Sequence, residues 1–395
     1  MKSSAPGDYI HFKSQVPLHK ISIGSKLWRY YDFGPKSVPP LICLPGIAGT
    51  ADVYYKQIMS LSMKGYRVIS VDIPRVWNHL EWVHAFEKFL DTINVHHVHL
   101  YGTSLGGFLA QIFTQHRPRR VKSLVLSNTF LDTQKFSASM PWSPVVGWTP
   151  SFLLKRYILT GIRDGPQEPF IADSVDFVVG QVETLSKDDL SSRLTLNAAP
   201  ASVGPLLLSD SFITVMDTND YCAIPQQLKD QVSERYPSAR RAIIKSGGDF
   251  PFLSRSDEVN LYLQLHLRRV GVEVKQDQIP GISEDGGSGG PHDDYDDDKS
   301  DGREDDPRDD QGSSGSGHNG HEPQSRDRAG GPHDDKGSEH EDGGSPESAH
   351  ELPCSTNVEA FALGLTPLIG HTLSVLLMAQ LNIWEYIHTR KTIKA

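Results

Sequence analysis

One short segment constrains the fold of this chain more than any other. The apolar run Val98–Gly102, typical of a buried strand, leads into the pattern GTSLG and then at once into a mainly apolar helical pattern. Gly102 and Gly106 let a strand turn sharply into a helix, because they add no side chain where neighbouring backbones pass closely. A turn of this kind, the nucleophile elbow, presents the Ser104 hydroxyl above the sheet and leaves the Leu105 N–H available to an oxyanion.

The rest of residues 1–275 alternates strand-like and helical patterns, which predicts a mostly parallel sheet covered by helices. The predicted strands are Leu41–Leu44, Tyr66–Asp72, Val98–Gly102, Val121–Ser127, Phe212–Asp217 and Arg241–Lys245. The predicted helices are His79–Ile93, Leu105–His116, Gln226–Arg235 and Ser256–Arg269. With the elbow, this order predicts the α/β-hydrolase fold: a mostly parallel central sheet with flanking helices.

Two helices carry more detailed expectations. In His79–Ile93, one apolar face is predicted to contain Leu80, Val83, Phe86, Phe89 and Leu90. Ser256 is a plausible N-cap for the last helix, and alternate apolar residues within that segment resemble a strand, although its length and position favour a helix. Between about 131 and 205 the alternation breaks into apolar helical segments separated by prolines, which predicts a helical lid inserted into the fold.

The charge of the chain is divided between two regions. Residues 276–351 hold 23 acidic and 6 basic residues, whereas residues 1–275 hold 24 acidic and 30 basic ones. The acidic segment is rich in Gly, Asp and Ser and cannot bury enough surface to offset backbone ordering, so we expect a disordered linker. The modest positive surplus of residues 1–275 argues against nucleic-acid binding. Scattered histidines and acids would hold divalent metals loosely at most, and we expect no metal site and no cofactor.

The final segment, 352–395, contains twenty consecutive residues without a formal charge, Ala360–Ala379, which is long enough to cross a bilayer. Pro367 and His371 suit a lone helix in lipid poorly, and the basic residues follow the segment, against the positive-inside tendency. A membrane anchor, a docking helix and a chain end without selected function all stay open. The three cysteines form no disulfide framework and the N-terminus lacks a signal-peptide core, which favours a cytoplasmic protein.

The partners of a catalytic serine would have to follow the elbow in the chain. In this fold the acid follows a late strand, and Asp220 stands there. The histidine usually follows the last strand in a Gly-His-Phe-Pro turn, but here the turn is Gly-Gly-Asp-Phe-Pro and Asp249 takes the place of the histidine. A carboxylate with an ordinary pKa near 4 is a much weaker base than imidazole, and Asp220 would raise the pKa of one of the two acids.

The second half of an oxyanion hole is expected in the loop after strand Leu41–Leu44. This loop reads PGIAGT, where many active enzymes of the fold begin with His-Gly. Pro45 has no N–H to give, so Gly46 and Ile47 are the backbone donors that could face the serine. The remaining histidines near the elbow, such as His79, His96 and His266, fall at positions unsuited to replace the missing base.

Several segments outside these motifs carry a resemblance to a known family. They are GTADVYYKQI (49–58), GYRVIS (65–70), HLEWVHAF (79–86), GTSLGGFLAQ (102–111), SRLTLN (192–197), YPSARRA (236–242) and RSDEVNLYLQLHL (255–267). Through them residues 20–270 resemble the maspardins, an apparently non-catalytic family of the α/β-hydrolase superfamily. The resemblance implies a cytosolic protein that associates peripherally with endosomal or trans-Golgi membranes and acts through protein partners. Animal members are associated with the cytoplasmic tail of a T-cell co-receptor.

Three functions are consistent with these residues. The first is a non-enzymatic binding or adaptor protein on a hydrolase scaffold, indicated by Asp249 and by the altered oxyanion loop. The second is a weak serine hydrolase or esterase, indicated by the intact Ser104 elbow and by Asp220. The third is an enzyme of another chemistry that uses Asp249 and Asp220 as an acid/base pair.

Overall fold

An eight-stranded sheet lies at the centre of the computed structural model, which describes residues 7–162 and 168–272. The strands are β1 His19–Ile23, β2 Lys26–Phe33, β3 Leu41–Leu44, β4 Val68–Val71, β5 Val98–Thr103, β6 Val121–Ser127, β7 Ile213–Thr218 and β8 Arg240–Ile244. Their order across the sheet is β1-β2-β4-β3-β5-β6-β7-β8. β1 and β2 pair antiparallel, as do β2 and β4, and all later neighbours are parallel. The predicted fold class is therefore confirmed.

Helices cover both faces of the sheet. They are α1 Gly7–Gln15, α2 Tyr55–Ser62, α3 His79–Thr92, α4 Leu105–His116, α5 Gln134–Ser139, α6 Ser151–Thr160, α7 Pro169–Thr184, α8 Lys187–Ala198, α9 Gln226–Arg235, α10 Pro251–Ser254 and α11 Ser256–Arg269. One apolar core joins the sheet to α3, α4 and α9, and the other joins it to α1, α2 and α11. Because both faces are covered, β3, β4 and β5 are buried at every residue, which explains their continuous apolar sequences.

All six predicted strands are present, with ends displaced by at most two residues. β1 and β2 were not predicted, because the edge strand β1 buries none of its five residues completely and has a polar sequence. In α11 the buried residues Val259, Leu263 and Leu267 recur at every fourth position, while Leu261 and Leu265 are exposed. The spacing of the buried residues confirms a helix over the alternative of a strand.

Two details of the predicted helices are wrong. Ser256 is the first residue of α11 and not its N-cap, because Arg255 holds that position without a side-chain capping bond. In α3, Val83, Phe86, Phe89 and Leu90 are buried as expected, but Leu80 is 54% exposed. Trp82 is completely buried and stacks on Phe86, so it completes the inner face of α3 in place of Leu80.

Helices α5 to α8 lie between β6 and β7, in the segment expected to form a lid. α7 packs over the carboxyl edge of the sheet through contacts with three separate loops. The Thr50 hydroxyl donates to Gln181 Oε1 over 2.8 Å, and a side chain on Gly248 would lie 3.2 Å from Ile171. Arg255 forms an ion pair with Glu168 just before α7. These contacts hold α7 closed against the loops that follow β3 and β8.

The expectations for the linker 276–351 and the apolar segment 352–395, including Ala360–Ala379, fall outside the described residues. Within residues 7–162 and 168–272, no helix has the length and apolar character needed to cross a membrane.

A buried polar chain crosses the core near the amino ends of the central strands. The Ser123 hydroxyl lies 2.7 Å from both His99 Nδ1 and His266 Nε2. His266 Nδ1 lies 2.8 Å from the Thr214 hydroxyl. Burial and nearby cations lower the pKa of His99 to about 4 and that of His266 to about 3. Both rings are therefore neutral in the folded protein at neutral pH.

The buried hydrogen bonds of His99 and His266 predict that acid destabilises the fold. In the unfolded state the pKa of a histidine is about 6.5, so the unfolded protein binds a proton at a higher pH than the folded protein does. The free energy of unfolding therefore decreases as the pH falls below about 6.5. For His266 the loss reaches about 3 kcal/mol by pH 4. We expect His266→Gln to flatten the dependence of the free energy of unfolding on pH between 6.5 and 4, measured by urea denaturation.

Replacement of the exposed His84 by Gln is the matched control, and it should leave that slope unchanged. Equal slopes for the wild-type protein and His266→Gln would show that protonation of this ring does not limit stability.

Candidate active site

Ser104 occupies the strained turn that the sequence predicts between β5 and α4. Its backbone has φ 50° and ψ −121°, in a region that residues other than glycine rarely adopt. Its N–H donates to the Ser127 carbonyl over 3.1 Å, and its own carbonyl accepts from the Thr129 hydroxyl over 2.7 Å. Gly107 N–H and Phe108 N–H donate to the same carbonyl. The surrounding hydrogen bonds therefore stabilise the turn against its intrinsic strain.

The elbow glycines are required by close backbone packing. A Cβ atom on Gly102 would lie 2.5 Å from the carbonyl oxygen of Gly106. A Cβ atom on Gly106 would overlap the carbonyl of Leu44, at the end of β3. A side chain at Gly102 would push the start of α4 away from β5, and one at Gly106 would push α4 away from the end of β3, which accounts for both glycines without reference to catalysis.

The loop after β3 reaches the serine. A Cβ atom on Gly46 would lie 3.2 Å from the Ser104 Cβ and 3.6 Å from its hydroxyl oxygen, so this loop forms one wall of the site. Gly49 N–H donates to the Gly46 carbonyl over 3.0 Å and closes a turn around Ile47. Leu105 is the first residue of α4, and its N–H has no acceptor within the helix. Gly46 and Leu105 therefore border Ser104, and Ile47 lies within the turn that the Gly49–Gly46 hydrogen bond closes.

Arg193 fixes this loop from the lid, and the sequence analysis does not single it out. The side chain projects from α8, is 1% exposed, and donates from Nη1 to the carbonyls of Ile47 (3.1 Å) and Gly49. Its Nε and Nη2 atoms are buried without a hydrogen-bond partner in the described part of the chain. Within the sequence, only its place in the SRLTLN segment marks it. A buried guanidinium thus ties the lid to the loop beside Ser104.

Asp220 lies where the triad acid is expected, and it holds the turn that follows β8. Its Oδ2 accepts from Gly247 N–H over 2.9 Å and from Gly248 N–H over 3.0 Å. The carboxylate therefore accepts from two consecutive backbone N–H groups, directly before the position where the histidine is expected. In this chain Asp220 orients the backbone of the loop after β8, and it bonds to no imidazole in the described residues.

Asp249, which the sequence analysis assigns to the histidine position, is half-buried. Its carboxylate accepts from Ala223 N–H over 2.6 Å. Burial, with a smaller contribution from the negative charge of Asp220, raises the pKa of Asp249 to about 6. The expected effect of one acid on the other is thus present, and Asp249 is the acid whose pKa rises.

In the described residues the Ser104 hydroxyl makes no hydrogen bond to a histidine or a carboxylate. His79 bonds to the Leu196 carbonyl on the outer side of α4, and His99 and His266 bond to Ser123. Ser123 lies near the amino end of β6, whereas Ser104 lies beyond the carboxyl end of the neighbouring, parallel β5. His79, His99 and His266 therefore bond to groups other than the Ser104 hydroxyl.

Two further residues shape the floor of the site and escape the sequence analysis. Asn128, at φ 42°, follows β6, and its side chain bonds to Thr218 and to the Gly248 carbonyl. Lys229, 2% exposed, projects from α9 and donates to the Thr218 carbonyl over 2.9 Å. Asn128 could have been noticed as a polar residue directly after a buried strand, but an amphipathic helix pattern gives no signal that Lys229 is buried.

Metal ligation has no counterpart in this geometry. Across residues 7–162 and 168–272, no three His, Cys, Asp or Glu side chains come together as metal ligands would.

The fold and the elbow place the chain among proteins of the α/β-hydrolase fold. The family model described as "alpha/beta hydrolase fold" matches residues 39–165. Among solved structures, the enol-lactonase from Burkholderia xenovorans LB400 is similar with a TM-score of 0.55 and 13% identity, over 63% of this chain and 100% of that one. A thermophilic esterase from Thermogutta terrifontis gives 0.54 and 15%, over 64% of this chain and 98% of that one. At these identities the likeness shows the fold alone.

Curated relatives are much closer in sequence. Maspardin from Mus musculus and from Homo sapiens are each 46% identical over 267 residues, which cover 66% of this chain and 86% of theirs. Maspardin from Danio rerio is 46% identical over 269 residues. The chain belongs to the maspardin family.

The raised pKa of Asp249 predicts a cost in stability. A carboxyl whose pKa is about 6 when folded and about 4 when unfolded destabilises the fold once it is ionised, so stability falls as the pH rises through this interval. Asn keeps an oxygen for Ala223 N–H and carries no charge. We expect Asp249→Asn to increase the free energy of unfolding by about 3 kcal/mol at pH 7.5, with the gain vanishing near pH 4.

Asp176→Asn, at an exposed position of α7, is the control and should change little at either pH. If Asp249→Asn were neutral or destabilising at pH 7.5, Asp249 would be well solvated or essential to the turn.

Proposed function

We propose that this chain is a non-enzymatic, protein-binding adaptor built on an α/β-hydrolase scaffold. One observation carries the proposal: the position of the catalytic histidine holds Asp249, and that carboxylate bonds to Ala223 N–H. Neither Asp249 nor a histidine makes a hydrogen bond to the Ser104 hydroxyl in the described residues. Membership of the maspardin family adds support.

The size of the rate enhancement that a triad histidine provides favours a binding function over catalysis. A serine hydroxyl is a poor nucleophile unless a base removes its proton, and loss of the triad base costs roughly 10⁴ to 10⁶ in turnover in well-studied serine hydrolases. Asp249 does not restore this contribution, because its carboxylate bonds to Ala223 N–H and makes no hydrogen bond to the Ser104 hydroxyl in the described residues. The remaining site can contact a ligand but lacks the means to activate the serine.

The parts of the site that do not depend on the histidine are retained in a form suited to recognition. The elbow keeps its strained geometry, and the loop around Ile47 is held by Arg193 from the lid. A partner that engages the lid would therefore contact the same rigid unit that borders Ser104. We include cytoplasmic location and peripheral association with endosomal or trans-Golgi membranes in the proposal, on the ground of family similarity.

The alternative is a weak serine hydrolase or esterase that uses Ser104. It is favoured by the backbone of Ser104 and by the Leu105 N–H at the start of α4, which together preserve half of an oxyanion site. The pKa of Asp249, about 6, is also nearer to neutral than that of an ordinary carboxyl. Under this alternative Asp249 would be the general base.

Asp249→His tests whether the missing imidazole is the defect. The new ring would follow the Gly247–Gly248 turn that Asp220 already orients, as a triad histidine would. We expect the wild-type protein to show no hydrolysis of p-nitrophenyl acetate above background, and Asp249→His to hydrolyse it measurably, at least tenfold above background. The measurement is the initial rate at pH 7.5.

The double variant Ser104→Ala/Asp249→His is the control and should lose the gained activity. Wild-type hydrolysis that disappears in Ser104→Ala would overturn the adaptor proposal in favour of the alternative. A folded Asp249→His protein without activity would show that the oxyanion loop, and not only the base, has diverged.

A further inference from the structure

A second candidate site lies at the opposite edge of the sheet from Ser104. An open cleft of about 410 Å³ is formed where β7 and β8 begin and α11 ends. It is lined by Ser211, Phe212, Ser238, Ala239, Arg240 and Arg269. The lining therefore combines two guanidinium groups and two hydroxyls with one aromatic ring that is 43% exposed.

The fold gathers positive charge around this cleft that the linear sequence disperses. β5, β6, β7 and β8 are parallel neighbours, so their amino ends meet at one edge, and the carboxyl end of α11 lies against it. We call this surface the basic edge; its members are Arg119, Arg120, Lys122, Arg240, Arg268 and Arg269. Burial together with the charge of Arg240 lowers the pKa of Arg269, as expected for cations held close together.

Few carboxylates compensate these charges among the described residues. Asp91 pairs with Arg120 at the far end of the basic edge, over 2.9 Å. Asp210, beside the cleft, accepts from Ser238 N–H at 3.5 Å. Neither Arg240 nor Arg269 forms an ion pair within residues 7–162 and 168–272. The cleft therefore has two cations without a counter-ion in this part of the chain.

The two arginines differ in how their side chains are held, which suits a binding site. Arg269 is fixed, because Nη2 donates to the Ile213 carbonyl over 3.2 Å and to the Thr214 hydroxyl over 2.9 Å. Arg240 is exposed on the edge strand β8 and makes no side-chain hydrogen bond in the described residues. One guanidinium would define the position of a ligand, and the other would close on it.

We propose that this cleft binds a phosphate monoester group, held by Arg240 and Arg269 with hydroxyl donors from Ser211 and Ser238. Guanidinium groups bind phosphate oxygens in pairs, and two of them balance the double negative charge of a monoester near neutral pH. The exposed ring of Phe212 offers an apolar contact to whatever carries the phosphate. This site is independent of the proposed adaptor function, since it lies at the other edge of the sheet.

Binding of inositol 1-phosphate to the full chain, measured by isothermal titration calorimetry, tests the proposal. We expect saturable binding and a loss of affinity of about tenfold or more in Arg240→Gln, since a charge-assisted hydrogen bond is removed. Arg240→Gln is the preferred variant because the Arg240 side chain makes no contact that the fold requires. Lys64→Gln, which removes an exposed charge from the loop after α2, is the matched control and should bind as the wild-type protein does.

The absence of saturable binding would overturn the proposal. An equal loss of affinity in Arg240→Gln and Lys64→Gln would also overturn it, because it would indicate general electrostatic attraction. A second arm identifies the source of the phosphate by co-sedimentation with vesicles. Vesicles of phosphatidylcholine with phosphatidic acid present a monoester, and vesicles with phosphatidylserine, matched in charge, present only diesters. Preference for phosphatidic acid over phosphatidylserine, lost in Arg240→Gln, indicates a lipid source; binding of the soluble ester alone indicates a free metabolite.

Discussion

The approach of two backbones at Gly106 is the constraint on which the rest of the structure depends. There α4 begins so close to the end of β3 that a single Cβ atom would overlap the Leu44 carbonyl. This contact sets how closely α4 approaches β3, and with it the strained turn at Ser104 and the position of the loop that carries Ile47. An elbow of this kind is costly to alter, whatever the serine does, because the sheet is assembled around it.

The side chain at position 249 can change without disturbing the backbone contact at Gly106. The triad position lies in a surface turn after β8, where Asp249 finds a hydrogen-bond donor in Ala223 and the turn itself is held by Asp220. Replacing imidazole by carboxylate there leaves the packing between strands unaffected. Burial raises the pKa of this carboxyl, and a scaffold of this kind does not depend on the chemistry of the side chain at this position.

The sequence predicts the framework well because the framework depends on local patterns. Buried runs mark the central strands, and the GTSLG turn fixes where the serine lies. The same reasoning identifies Asp220 and Asp249 by their places after strands. It fails for Arg193 and Lys229, whose burial depends on contacts between segments distant in sequence. The basic edge is missed for the same reason, because its arginines come from three separate segments that only the parallel sheet brings together.

The central claim is that Ser104 has no proton acceptor, and its reactivity toward a fluorophosphonate probe measures this most directly. Intact-mass spectrometry of the full chain at pH 7.5 would follow phosphonylation over time, beside Ser104→Ala. The account predicts equally slow modification of the two proteins. Rapid, stoichiometric labelling of the wild-type chain that is absent from Ser104→Ala would show an activated serine and contradict it.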